Sequence, residues 1–169
     1  MDAREFEKVF WVLQPPLLRF ARNQLDPAGA EDVVAETLTT LWGKDLAFPE
    51  SPEEERGLHA LAYQVLTGHI RNEYRSRRRR KALAERLVAQ PVKVAATGRS
   101  ATDVDDEARV TYLLQQLSVD DREVILLFNA GFDLGDTARI LGCSTAAAAK
   151  RRTRARGRLR EIVDKEARE

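Results

Sequence analysis

The sequence predicts an all-α protein: two helical domains joined by a flexible linker, the C-terminal one a helix-turn-helix. Three observations lead there. Apolar residues recur at helical spacing along most of the chain, with few β-branched alternations. Residues 88–109, "VAQPVKVAATGRSATDVDDEAR", lack that period and collect Pro, Gly, Ser and acidic side chains, so they read as a linker. Beyond them, residues 117–163 read as an apolar helix, a short helix closed by Gly142, and a helix carrying seven basic residues between Lys150 and Arg160.

In the first domain, residues 1–87, Phe6, Val9, Phe10 and Leu13 form one stripe. Pro15-Pro16 should end that helix, and Leu17, Leu18, Ala21 and Leu25 belong to a new one. Asp26-Pro27 reads as a cap followed by a first-turn proline. The next helix, about 30–42, is expected to bury Val33, Val34, Thr37, Leu38, Leu41 and Trp42. It turns Glu31, Asp32, Ala35, Glu36 and Thr39 outward. Residues 43–57 hold two Gly and two Pro and read as a loop. A third helix starting near Leu58 places Leu58, Leu61, Ala62, Val65 and His69 on one face. It continues through Arg71, Asn72, Tyr74 and Arg75 into "RSRRRRK" at 75–81.

In the second domain, residues 110–169, Leu134, Ala138, Ile140 and Leu141 supply the inner face of the short helix. Gly142 supplies the turn, and Ser144 or Thr145 the next cap. Arg151, Arg154 and Arg158 then lie in one row, with Arg152, Arg156 and Arg160 in a neighbouring one. Of acids close in sequence there are only Glu161 and Asp164, too few to pair them all. A duplex carries about one negative charge per 1.7 Å, so DNA is the leading ligand for this helix. In the first domain, the basic run beside Asn72 and Tyr74 suits a nucleic-acid strand as well. Cations hold its phosphates, while amide and aromatic groups can meet unpaired bases. The acidic row Asp32 and Glu36 reads equally as a solvated face or as a dock for a basic protein.

Composition narrows the alternatives. Of the 169 residues, 43% are hydrophobic, enough for compact cores. The net charge of +1 conceals −6 over residues 1–60, +5 over 61–110 and +2 over 111–169. Cys143 is the single cysteine, so neither an internal disulfide nor a thiolate metal cluster can form, and a small thiol at the turn is expected to pack. No apolar run approaches the roughly 20 residues of a membrane span, and the acidic N-terminus is no signal peptide. A cytoplasmic protein without membrane insertion is expected. His59 and His69 fall ten residues apart with no carboxylate pair around them, and His69 is expected to pack on the core. No phosphate-cradling Gly loop, nucleophile elbow or metal-ligand spacing occurs, so no enzyme, cofactor or metal site is expected.

These features together resemble a bacterial RNA polymerase sigma factor, of the extracytoplasmic-function group of the sigma-70 family, over about residues 5–81 and 112–163. "AEDVVAETLTTLW" at 30–42 resembles the polymerase-docking helix, which implies that Asp32, Glu36 and Thr39 face core RNA polymerase. "YQVLTGHIRNEYRSRRRRK" at 63–81 resembles the helix that melts and reads the −10 element. That implies DNA contacts from Arg71, Asn72, Tyr74, Arg75, Arg77 and Arg78. "LSVDDREVILLFNAGFDLGDTARILG" with "RRTRARGRL" resembles the domain that reads the −35 element, implying contacts from Ser144, Thr145, Lys150, Arg151, Arg152, Arg154 and Arg156. Residues 1–87 would then be a region 2-like domain and 110–169 a region 4-like domain. The linker acids Asp105, Asp106 and Glu107 would mimic nucleic-acid charge in polymerase channels meant for RNA.

The chain departs from the family's usual pattern at several positions. Ala35 stands where Gln is common, and Gly68 and Asn72 where Asn and Asp often stand. In the recognition helix the usual "TVKSR" becomes Ala147-Ala148-Ala149-Lys150-Arg151, and a usual Leu becomes Arg152. Four successive alanines leave few base-reading donors, so binding through phosphates and DNA shape is expected. The resemblance implies the β and β′ subunits of core polymerase and promoter DNA as partners, together with an anti-sigma factor. A stand-alone helix-turn-helix regulator is the alternative from another class, and a module that sequesters polymerase is a third. The acidic docking row discriminates, because a regulator that never meets polymerase has no use for it.

Overall fold

A computed structural model describes residues 1–87 and 106–168, and every regular element among them is an α-helix. The N-terminal half holds α1 (Ala3–Arg22), α2 (Pro27–Trp42) and α3 (Pro52–Leu87). The C-terminal half holds α4 (Asp106–Gln115), α5 (Val119–Asn129), α6 (Leu134–Leu141) and α7 (Thr145–Glu166).

Helix α1 runs unbroken through Pro15 and Pro16, against the expected interruption. The two missing N–H groups would have bonded the carbonyls of Trp11 and Val12, one turn earlier. Both of those residues lie on the exposed side, while Leu13 and Leu17 are fully buried and anchor the helix on either side of the proline pair. Asp2 and Glu5 close a capping box at its start.

Helix α2 starts as expected, with Asp26 capping and Pro27 in the first turn. It buries Val33, Val34, Thr37, Leu38 and Leu41. Trp42 is the exception: it is half-exposed and lies against Phe6 of α1, ring centroids 4.9 Å apart. Helix α3 begins six residues before Leu58, shortening the expected loop. Ser51 Oγ accepts from the Glu54 N–H, Pro52 opens the first turn, and Glu53, Glu54 and Glu55 meet the positive end of the helix dipole.

Residues 88–105, most of the expected linker, lie outside the described residues, as does Asp105 of the acidic trio. Residues 106–109 of the expected linker are helical, since α4 opens at Asp106. The other end of α4 is satisfied from α5. The buried Arg122 guanidinium donates to the carbonyls of Leu114 (2.8 Å), Gln115 (3.0 Å) and Leu117 (3.1 Å). These include the carbonyls that a helix C-terminus leaves without an internal partner. Gly142 closes α6 at φ 64, a left-handed conformation that a Cβ would strain.

The two halves share one continuous buried core. α3 packs on α6, and Tyr63 stands edge-on between Phe20 of α1 (5.2 Å) and Phe132 before α6 (4.8 Å). Burial pushes the Tyr63 hydroxyl up to about 12, so the ring stays neutral there.

Candidate polymerase and nucleic-acid interfaces

Three surfaces carry the residues singled out above. On α2, Asp32, Ala35, Glu36 and Thr39 are all exposed on the side opposite the buried row. Glu36 is not free: its carboxylate lies 3.1 Å from His69 Nδ1, and His69 Nε2 lies 3.3 Å from Thr40 Oγ1. His69 thus bridges α3 to the acidic row rather than only packing on the core. The Thr39 hydroxyl donates to the Ala35 carbonyl at 2.8 Å. Glu31 pairs with Arg22 at 3.5 Å, whereas Asp32 has no ion pair among the described residues.

Along α3 the expected −10 residues separate into two groups. Asn72, Arg75 and Arg78 are exposed, with Arg75 donating to Asn72 Oδ1 at 3.4 Å. The others are engaged. The Tyr74 hydroxyl donates to the backbone carbonyl of Gln24 at the α1–α2 turn. Arg77 binds Glu73 at 2.6 Å and also Asp26, and it holds both carboxyls below their usual range. Arg71 donates to Glu123 of α5 at 2.7 Å, across the two halves.

On α7 the basic rows also divide, in a way the nearby sequence does not show. The buried Asp121 of α5 binds Arg154 at 3.4 Å and also Arg158, so a distant acid supplies the pairing that Glu161 and Asp164 could not. Arg152 is half-buried, its guanidinium 4.5 Å from the Phe128 ring centre. Its stem fills a place where the family usually has Leu while its charge rests on an aromatic face. Ala148 is fully buried and packs, so one of the four alanines is core. The outward face presents Ser144, Thr145, Ala146, Lys150, Thr153 and Arg156. Ser144 Oγ caps the helix by accepting from Ala147 N–H at 3.2 Å. Thr153, absent from the expected set, projects between Lys150 and Arg156; its three-residue spacing from each was the available signal.

Burial alone would raise the Asp121 carboxyl, but the Ser118 hydroxyl and the Arg158 and Arg154 charges outweigh it and hold it below its ordinary 3.8. A depressed carboxyl stabilises the fold above its unfolded value and loses that contribution as pH falls through the folded one. Asp121→Asn should therefore cost about 1–3 kcal/mol at neutral pH. In urea titrations the gap to the parent chain should narrow between about pH 5 and pH 3. A gap of constant size would assign the loss to something other than these ion pairs.

Residues 107–159 match the family described as Sigma-70, region 4. The chain is 33% identical over 135 residues to the ECF RNA polymerase sigma factor EcfG of Rhodopseudomonas palustris, covering 79% of this chain and 71% of that one. The chain belongs to the ECF RNA polymerase sigma factors. The ECF sigma factor SigC of Mycobacterium tuberculosis is 29% identical over 160 residues, 94% of this chain and 83% of its own. Among solved structures, the sigma factor RpoE of Bartonella quintana, crystallised with the anti-sigma factor NepR, superposes with a TM-score of 0.72 at 26% identity, over 96% of this chain and 98% of that one. CnrH in complex with the cytosolic domain of CnrY superposes at 0.67 and 25% identity, over 96% and 90%.

This protein is therefore an alternative sigma factor that binds core RNA polymerase, recognises −10 and −35 promoter elements and starts transcription. The stand-alone regulator is not favoured. No helix among the described residues is long and apolar enough to cross a membrane. Among them no group of three or more His, Cys, Asp or Glu is placed to hold a metal ion.

Proposed function

We propose that this sigma factor divides its task among the three surfaces. Asp32, Glu36 and Thr39 on α2 dock on core polymerase. Asn72, Arg75 and Arg78, with Arg71, Tyr74 and Arg77 behind them, follow the −10 strand. The start of α7, from Ser144 and Thr145 to Lys150 and Arg156, enters the −35 element. The carrying observation is that each surface is polar and outward-facing on a helix whose opposite side is core. In the −35 helix, Arg154 and Arg158 are already held by Asp121, Arg152 by Phe128, and Ala146 offers a methyl group. Lys150, Arg151, Thr153 and Arg156 remain for the DNA, mainly its phosphates, and phosphate contacts fix position without reading sequence. The linker acids Asp105, Asp106 and Glu107 enter polymerase channels meant for RNA. The protein acts in the cytoplasm and catalyses no reaction by itself. An anti-sigma factor restrains it, by analogy with the complexes of its structural relatives.

The test is run-off transcription from a saturation library of promoter variants. A good bidentate base contact is worth about 1–3 kcal/mol of discrimination, so strictly read positions stand out clearly. Several −10 positions should be strictly specified, while single changes in the −35 element should cost less and groove width should matter more than base identity. A −35 profile as strict as the −10 profile would overturn the phosphate-and-shape reading.

A further inference from the structure

We propose that His69 is a positioning residue for polymerase docking: it fixes the Glu36 carboxylate in place before core polymerase arrives. This role rests on assigning Glu36 to the dock. It starts from a closed circuit of hydrogen bonds. Glu36 Oε2 lies 3.1 Å from His69 Nδ1, and His69 Nε2 lies 3.3 Å from Thr40 Oγ1. The Thr40 hydroxyl in turn reaches the Glu36 backbone carbonyl at 2.8 Å. The side chain of Glu36 is thus tied, through an imidazole and a hydroxyl, back to its own main chain.

Proton accounting gives the ring its orientation. An ionised carboxylate only accepts, so Nδ1 must carry the proton that Glu36 receives. Thr40 then meets Nε2 in either state of the ring. Its oxygen accepts from a protonated Nε2, or its hydroxyl turns its own proton to a bare one. The Glu36 contact therefore needs no charge on the imidazole.

The base of the ring is held as firmly as its tip. His69 stands on α3 between Leu66 and Ile70, both fully buried, and its own side chain is only 24% exposed. Glu36 is 64% exposed in its side chain, and its ion pair with His69 uses Oε2. Oε1 has no partner among the described residues, so the acid is held without being locked away. A carboxylate with an open oxygen on a stationary stem suits an incoming guanidinium or ammonium. A long, exposed side chain ordinarily loses rotamer freedom when a partner immobilises it, and that loss subtracts from affinity. His69 imposes the loss beforehand, in the free chain. Nothing comparable holds Asp32, which has no ion pair among the described residues.

The experiment measures the affinity of the full chain for core polymerase, by competition against a labelled parent chain. The variants are His69→Leu, His69→Asn, Glu36→Ala, and each His69 change combined with Glu36→Ala. Leu fills the space of the ring but has no donor. Asn is smaller, yet it carries an amide N–H near the place of Nδ1. His69→Leu should weaken binding about fivefold, about 1 kcal/mol, the scale of one pre-ordered side chain. The melting temperature should change little, because the pair is largely exposed on its carboxylate side. His69→Asn should recover most of the affinity, whereas a role in packing alone predicts the reverse order. On the Glu36→Ala background neither His69 change should alter affinity by more than about twofold, the scatter of independent sites. Equal losses on both backgrounds, or unchanged binding in His69→Leu, would overturn the positioning role. Tighter binding in His69→Leu would also overturn it and make His69 a clamp that withholds Glu36. If Glu36→Ala binds as well as the parent chain, Glu36 leaves the dock and the role of His69 falls with it.

Discussion

Reversing both acids of the α2 row, Asp32→Lys with Glu36→Lys, is expected to weaken binding to core polymerase by about 2–5 kcal/mol, the loss typical when one side of a buried interfacial charge pair is removed. Both side chains are exposed and stand opposite Val33, Val34 and Leu41, so the fold should survive. The reversal also breaks the pairing of Glu36 with His69, which is largely solvent-facing on the carboxylate side. Exposed pairs of this kind contribute at most about 1 kcal/mol. Thermal melting should thus change little while a pull-down with core polymerase fails. Undiminished capture by the folded double variant would remove the docking role from α2.

The largest loss of stability is expected at Arg122. Its guanidinium is the C-terminal cap of α4, three carbonyls bonded at 2.8–3.1 Å inside the core of the C-terminal half. A hydrogen bond to a charged group contributes about 1.5–3 kcal/mol, and removing the donor also takes the guanidinium partner from the buried Leu117 carbonyl, while the Leu114 carbonyl keeps the Leu117 N–H at 3.1 Å. Arg122→Ala should therefore cost at least about 3 kcal/mol, a large share of a typical domain's 5–15. Arg122→Lys should recover only part, since an ammonium lacks the planar fork that spans three acceptors. Urea unfolding of the full chain measures both. A loss under about 1 kcal/mol would mean that α4 finds other donors.

The proline pair, Trp42 and Tyr74 show where reading residues in order falls short. Pro15-Pro16 carries a strong breaking signal, yet Trp11 and Val12, whose carbonyls lose those donors, lie on the exposed side and the buried face pulls the helix through. Trp42 sits in register with a buried row but overhangs the end of α2 and meets Phe6 instead. Tyr74 lies on a nucleic-acid-like stretch, and its hydroxyl is taken by a carbonyl fifty residues away. The start of α3 is also missed, inside the stretch read as loop, although Ser51, Pro52 and three glutamates form a local helix-start pattern there.

The sequence by itself determined the helical class, the Asp26-Pro27 start of α2, the Gly142 turn, the outward acidic row and the basic recognition helix. Each of these depends on groups within about one helical turn of one another, through caps, dipoles and a 3.6-residue period. Only the tertiary structure decided which cations are free. Arg154 and Arg158 on Asp121, Arg71 on Glu123 and Arg56 on the α6 start all draw partners from 33 to 80 residues away. A helix face lined with arginine has the same local pattern whether water, a nucleic acid or a buried carboxylate lies opposite, because an ion pair is set by distance in space and by exclusion of solvent.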